Sequence, residues 1–156
     1  MDALFQTQSN ELSTTTQKEK LFKDAERQWN TLSTEKGAPG RKVDFEIYKS
    51  ILYNLEIRKV YLDSKLSLEK FSSIVGTNTT YLSNVVNHYF KCNFKHLLNK
   101  YRIGYAKQLI SNEVHSPNEL YKPCGFSSRS AFYAAFKKIM RVSPLYYQKY
   151  YKDKQI

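Results

Sequence analysis

His88, Cys92 and His96 recur at i, i+4 and i+8. On one continuous helix that spacing would turn two imidazoles and a thiolate the same way, a start toward a zinc site. A tetrahedral site needs a fourth ligand and none is obvious, and the helix is expected to break near residues 91–93, which scatters the three. No metal is therefore expected. Cys92 and Cys124 are the two cysteines of the chain, too few for a disulfide framework, and they indicate a reducing compartment. No Ser/His/Asp or paired-carboxylate arrangement stands out, so neither catalysis nor a cofactor is expected. The rings of "YYQKYY" (146–151) could stack on single-stranded bases. The simpler reading makes Tyr147 an anchor for the last helix and leaves the others partly exposed.

Charge says more than any of these side chains. The formal charge is +11 over 156 residues, and residues 1–44 contribute nothing to it, with seven Lys/Arg against seven Asp/Glu. Residues 45–156 hold 18 basic and 7 acidic side chains. A compact basic region attracts polyanions by steering and counterion release. Acidic membrane surfaces fit less well, because the cations are interleaved through the region and not stacked on one amphipathic segment. No apolar run approaches 18 residues and no charged-then-apolar start is present, so neither a membrane span nor a signal peptide is expected. A cytoplasmic protein is expected.

Every periodic segment is helical. Residues 1–16 are polar and Ser/Thr-rich, with disorder expected. A helix over 17–33 would carry Leu21, Phe22, Ala25, Trp29 and Leu32, as a docking or dimerisation helix or a partly ordered tail. "STEKGAPGRK" (33–42) reads as a linker, so 1–42 is taken as an extension and 43–152 as the domain. Asp44 is placed as the cap of a helix running to about Tyr61, with Phe45, Tyr48, Ile51, Leu52 and Leu55 inward. Ser67 should cap a short helix with Leu68, Phe71 and Ile74 that stops at Gly76. Asn78 should cap the next, to about Tyr89, burying Leu82 and Val86. Asn93 should open the longest, to about Ser111, with Phe94, Leu97, Leu98, Tyr101, Tyr105 and Leu109 inward. Gly104 within it costs about 1 kcal/mol relative to Ala. Ser116-Pro117-Asn118-Glu119 matches a capping box with proline at the first helical position. Pro123 should end that helix a turn early. Helices from about Ser128 to Ile139 and from Pro144 complete an all-α set.

The set contains a repeat. Leu82 and Phe132, Val86 and Phe136, and Lys91 and Arg141 are each 50 residues apart, around "GTNTTYLSNVV" and "GFSSRSAFYAAF". Two short helices about a Gly-containing turn, the second polar at its start, is the helix-turn-helix layout. Two copies in register on a basic chain are far stronger than one. The intervening helix, roughly 28 Å long at 1.5 Å per residue, compares with the roughly 34 Å between successive major grooves on one DNA face.

These residues resemble the DNA-binding domain of the AraC/XylS family of bacterial transcription regulators over about 45–150. The resemblance is carried by "LSLEKFSSIVGTNTTYLSNVVNHYF", "NFKHLLNKYRIGYAKQLI" and "GFSSRSAFYAAFKKIMRVSPLYY". Within these, Arg102-Ile103-x-x-Ala106, Gly125-Phe126, Phe132, Phe136-Lys137-Lys138 and Ser143-Pro144-x-x-Tyr147 keep the family spacing. It implies a seven-helix domain of two helix-turn-helix units joined by a long linker helix. It also implies double-stranded DNA as partner, RNA polymerase as a candidate further partner, a nucleoid location, and transcription control, usually activation. Some DNA-repair relatives use an alkyl-accepting thiol, which Cys124 brings to mind; the multi-cysteine zinc site of those proteins is absent here.

The family pattern places Thr80, Ser83, Asn84 and Asn87 against base edges, where Asn can pair with adenine and Ser or Thr with several bases. In the second unit Arg129 would read guanine, with Ser130, Tyr133 and Ala134 around it. Asn78, Lys91, Ser128, Lys137, Lys138 and Arg141 would meet phosphates. Lys91 and Arg141 stand where relatives usually have glycine and are expected to need φ > 0, or to end their helices differently. Pro117 and Tyr121 replace a usual Ile and Ala, and Gln148 a common Arg. The departures concentrate in the second unit, so the first is expected to specify sequence and the second mostly to hold on. About 44 residues upstream are too few for the sugar-sensing barrel of many relatives. Alternatives are the output domain of a larger sensor, or a non-catalytic protein-interaction module on a degenerate helix-turn-helix fold.

Overall fold

The computed structural model describes residues 16–31, 42–112 and 116–154. The expected tail (1–16, apart from Thr16), the linker (33–42, apart from Lys42) and Leu32 lie outside these residues. Among the described residues there are seven α-helices and no strand: α1 (16–31), α2 (Lys42–Leu52), α3 (Leu68–Val75), α4 (Thr79–Tyr89), α5 (Phe94–Ser111), α6 (Arg129–Met140) and α7 (Pro144–Lys154). They form two compact units, one built on α1 to α4, the other on residues 60–67 and α5 to α7.

In the first unit α2, α3 and α4 pack on one another. Phe71, Leu82 and Val86 are fully buried, as their spacing predicts, together with Ile51 and Leu55. A second apolar cluster joins Ala25 and Trp29 of α1 to Tyr48 and Leu52 of α2. The helix that holds Tyr48 differs from expectation at both ends. It begins at Lys42, so Asp44 lies inside its first turn and does not cap it. It passes into a π-helical turn, Tyr53–Ile57, closed by Arg58 N–H to the Tyr53 carbonyl at 3.1 Å. Asn54 widens that turn from within: its Nδ2 donates to the Ser50 carbonyl (2.8 Å) and its Oδ1 accepts from Arg58 (3.0 Å). Lys59 then turns left-handed at φ 53°, which stops the helix before Tyr61.

In the second unit Ile103, Ala106, Ile110, Leu120, Cys124, Phe126, Phe132 and Phe136 share one core. The inward face of α5 is therefore set by Leu97, Leu98, Ile103, Ala106 and Ile110, while Phe94, Tyr101, Tyr105 and Leu109, expected inside, are half-buried. The buried face also includes Arg102. Its Nε donates to the Tyr61 carbonyl (2.7 Å), its Nη2 to the Asp63 carbonyl (3.0 Å), and its guanidinium lies 5.6 Å from the Phe126 ring. Burial pulls its pKa down and the Asp63 carboxylate partly restores it. The cation is tolerable there because its donors meet backbone oxygens. It fastens the 60–67 segment, including the 3₁₀ turn Val60–Leu62, onto α5.

Candidate nucleic-acid interface

Each candidate reading helix starts from a side-chain cap, as the sequence indicates. Asn78 Oδ1 accepts from Tyr81 N–H at 2.8 Å and Ser128 Oγ from Ala131 N–H at 3.1 Å. Capping fixes where each helix begins and satisfies one orphan donor of its first turn. It engages the oxygens of the two residues expected at phosphates, leaving amide and hydroxyl donors as the chemistry they can offer an anion.

On α4, Thr80, Asn84 and Asn87 are exposed and Ser83 is half-buried beside them. Positions i, i+3, i+4 and i+7 make one face, opposite buried Leu82, Val85 and Val86. The structure thus brings the four together. His88 belongs with them: it is exposed and lines an open concavity with Tyr81, Asn84, Asn87, Tyr89 and Asp44. Its spacing of four from Asn84 is the signal that could have placed it there. Among the described residues no group of three or more His, Cys, Asp or Glu side chains is placed to hold a metal ion.

On α6 the polar surface runs in two rows, Arg129–Tyr133–Lys137 and Ser130–Ala134–Lys138–Arg141, all exposed except half-buried Tyr133. The Tyr133 hydroxyl donates to Asn118 Oδ1 at 2.6 Å, so this candidate base reader is held by a partner the sequence did not disclose. Lys138 also faces a concavity with Asn93, Lys95, His96 and Asn99, which adds the α5 cation Lys95 to the candidate phosphate-binding surface. Lys137 and Lys138, in the last turn of α6, also suit the negative end of its dipole.

The turns before the two reading helices close alike. At Gly76 (φ 90°) the Thr77 N–H reaches the Ser72 carbonyl at 2.9 Å; at Gly125 (φ 88°) the Phe126 N–H reaches Tyr121 at 2.9 Å and the Gly125 N–H reaches Lys122 at 3.1 Å. The six-residue closure about a left-handed glycine is common to both; the inner bond that completes a Schellman arrangement is made at Gly125, whereas the Gly76 N–H also reaches the Ser72 carbonyl, at 2.9 Å. What leads into them differs. In place of the expected supporting helix, residues 117–119 make one 3₁₀ turn and 120–125 a run of turns. Ser116 makes no side-chain cap bond; instead its carbonyl accepts from Glu119 N–H at 3.0 Å. Pro123 has no N–H to give and disfavours helical backbone at Lys122, so an α-helix opened at Pro117 would have room for little more than one turn.

After the reading helices, Lys91 (φ 62°) and Arg141 (φ 67°) are both left-handed, as their stand-in for glycine predicts. Beyond Arg141, Tyr147 packs edge-on to Phe136 at 5.7 Å, while Tyr146 and Tyr150 are exposed and stacked, 6.5 Å apart. The Cys124 thiol is buried with its pKa pushed up to about 12, so it stays protonated and unreactive at neutral pH.

Two capped helices, each entered through a left-handed glycine turn and each carrying exposed polar residues, define a double helix-turn-helix protein. A helix-turn-helix domain family matches residues 71–150, about half of the chain. The chain belongs to that family, of the AraC type. It is 24% identical over 119 residues to the melibiose operon regulatory protein of Escherichia coli K12, an alignment covering 76% of this chain and 38% of that protein. The chain thus spans less than two-fifths of the length of the curated relatives it matches. Among solved structures it is similar to the C-terminal domain of AraT, a response regulator from Geobacillus stearothermophilus (29% identity, TM-score 0.59, 67% of this chain and 84% of that one). It is also similar to the C-terminal domain of the two-component response regulator yesN from Fusobacterium nucleatum (26%, 0.56, 63% and 95%). Among the described residues no helix is long and apolar enough to cross a membrane.

Proposed function

We propose that this chain is a sequence-specific, double-stranded DNA-binding transcription regulator with no chemistry of its own. The observation that carries the reading is the row Thr80, Ser83, Asn84 and Asn87, exposed except for half-buried Ser83, on a capped helix of an AraC-type fold with a basic surplus. Asn84 and Asn87 supply paired amide donors and acceptors for adenine edges, and Arg129 a fork for guanine. Lys91, Lys137, Lys138 and Arg141 supply phosphate contacts that fix register. With Tyr133 held by Asn118, base reading in the second unit falls to Arg129 and Ser130. The first unit specifies and the second mostly holds on. Activation through RNA polymerase is the regulatory mode proposed, in the cytoplasm at the nucleoid, and the likeness to two response-regulator C-terminal domains supports an output role.

The test is duplex binding measured against salt, with the preferred sequence first recovered from random DNA. Several phosphate contacts predict a steep fall of log affinity with log salt. Asn84→Ala should lower affinity for the recovered duplex about tenfold or more and leave non-specific binding within about twofold. Equal affinity for all duplexes would sink base reading. A second reading, a protein-interaction module, is favoured by the exposed Leu145, Tyr146 and Tyr150 of α7, and a flat salt slope would select it.

A further inference from the structure

On α1 Lys20, Lys23 and Arg27 share one exposed face, but Asp24 pairs with Arg27 there and Glu19 and Glu26 flank them, so the helix carries little net charge. What it contributes is packing. Ala25 and Trp29 are 1% and 7% exposed. The Trp29 ring lies 4.4 Å from Tyr89, 5.4 Å from Phe45 and 5.7 Å from Tyr48. One residue earlier, Gln28 Oε1 accepts from the Tyr48 hydroxyl at 3.0 Å. Lys18, at the other end of α1, sits 4.8 Å over the Tyr53 ring. The helix is thus fastened along its length to the first unit.

Tyr89 is where this packing meets the reading face. It is the last residue of α4, its hydroxyl donates to Asp44 Oδ2 at 3.2 Å, and its ring stands edge-on to His88 at 4.5 Å. The same ring walls the concavity that Asn84, Asn87 and His88 line. The geometry points to Trp29 as a positioning residue for base reading. By clamping Tyr89 against α2, α1 fixes the final turn of α4 and with it the directions of Asn87 and His88. The inference rests on the DNA-reading function proposed above.

Bidentate base contacts tolerate only small displacements, so a loosened final turn loses discrimination first. Phosphate neutralisation depends on the number of cations brought to the backbone, and Trp29 supplies none. The signature is therefore lost specificity at constant salt dependence, a combination that general destabilisation does not produce.

The experiment uses the full chain. Wild type, Trp29→Ala, Trp29→Phe and Tyr89→Leu are titrated with the recovered duplex and a scrambled one over a salt series. Circular-dichroism melting establishes that each is folded at the assay temperature, and amide exchange is followed across residues 84–90. Trp29→Ala is expected to lose roughly tenfold on the recovered duplex and less than twofold on the scrambled one, a drop of about one bidentate contact. Its salt slope should be unchanged, exchange at 86–90 faster, and Trp29→Phe should restore most of the binding. Tyr89→Leu should reproduce the loss, and it carries the test if Trp29→Ala does not fold. Unchanged discrimination in the folded variants, or equal loss on both duplexes, overturns the inference. If the wild type itself does not distinguish duplexes, the DNA-reading function fails. Amide exchange then decides by itself whether Trp29 orders the end of α4, and unchanged exchange in Trp29→Ala rejects it.

Discussion

At Gly76 and at Gly125 the backbone makes the same move, a left-handed glycine closed by a six-residue hydrogen bond, and the cap of the next helix follows two or three residues later. The surroundings of the two turns differ. Gly76 follows eight residues of regular helix, and a Cβ built there would meet nothing within 4 Å. Gly125 follows a 3₁₀ turn and a run of turns, and a Cβ there would come within 2.4 Å of the Tyr61 carbonyl oxygen. The first turn is held by its own helix. The second is held by what it leans on, the 60–67 segment fastened by Arg102. A supporting helix is thus one way to aim a reading helix, and a seated turn is another.

The sharpest way to break that comparison is to put the same methyl group at both glycines. Gly76→Ala should cost about 1–2 kcal/mol, the strain of a left-handed alanine. Gly125→Ala adds overpacking against Tyr61, Leu62 and Arg102, and should cost on the order of 3–4 kcal/mol in all. Urea midpoints of the two variants measure the difference, and equal losses would mean that the second turn is as self-supporting as the first.

Alkaline pH offers a smaller asymmetry. The Cys124 thiol holds its proton to about pH 12 in the folded second unit and loses it near pH 9 when unfolded. The folded state is then the one that keeps the proton, so its contribution is complete below about pH 9 and is lost as pH rises toward 12. Between pH 9 and 10 that amounts to about 1 kcal/mol. Urea unfolding at pH 8.5 and 10 should show the fall, and Cys124→Ala should flatten it. Burial also raises the Tyr48 pKa in the first unit, but from a higher starting value, so its loss begins at higher pH.

Smallest of all should be the gain from restoring glycine at the two left-handed exits. Lys91→Gly and Arg141→Gly should each stabilise by roughly 0.5–1 kcal/mol, the left-handed strain relieved less the entropy glycine costs. Thermal melts would register it. A gain at one site alone would show that the two units end their reading helices under different constraints.

What was legible in the sequence was local. The caps Asn78, Asn93 and Ser128, the turns at Gly76 and Gly125 and the left-handed Lys91 and Arg141 depend on residues within a few positions of one another. Periodicity of 3.6 residues placed the fully buried Ile51, Leu55, Phe71, Leu82 and Val86 of the first unit, but on α5 it passed over Ile103 and Ala106. Residues 116–125 misled because the capping-box pattern is real at the level of residue types, while Pro123, six residues after Pro117, leaves too short a run to propagate a helix. The burial of Arg102 was hidden because the carbonyls that make it tolerable lie about 40 residues upstream. Tyr133 was assigned to DNA by its position, and its tie to Asn118 exists only once 117–119 has folded against α6. The stripe on α1 was visible, but not that Tyr89 is what Trp29 meets.

The seating of Gly125 also bears on the order in which the chain can assemble. The closure at Gly76 involves neighbours only, so its formation requires no loop to be closed and it can precede the collapse of the first unit. The Gly125 turn is complete only when residues some 60 positions upstream have arrived beneath it, a contact whose entropic cost falls before its reward. Two turns whose glycines share nearly the same φ therefore belong to different stages of folding, and the second reading helix is the one that must wait.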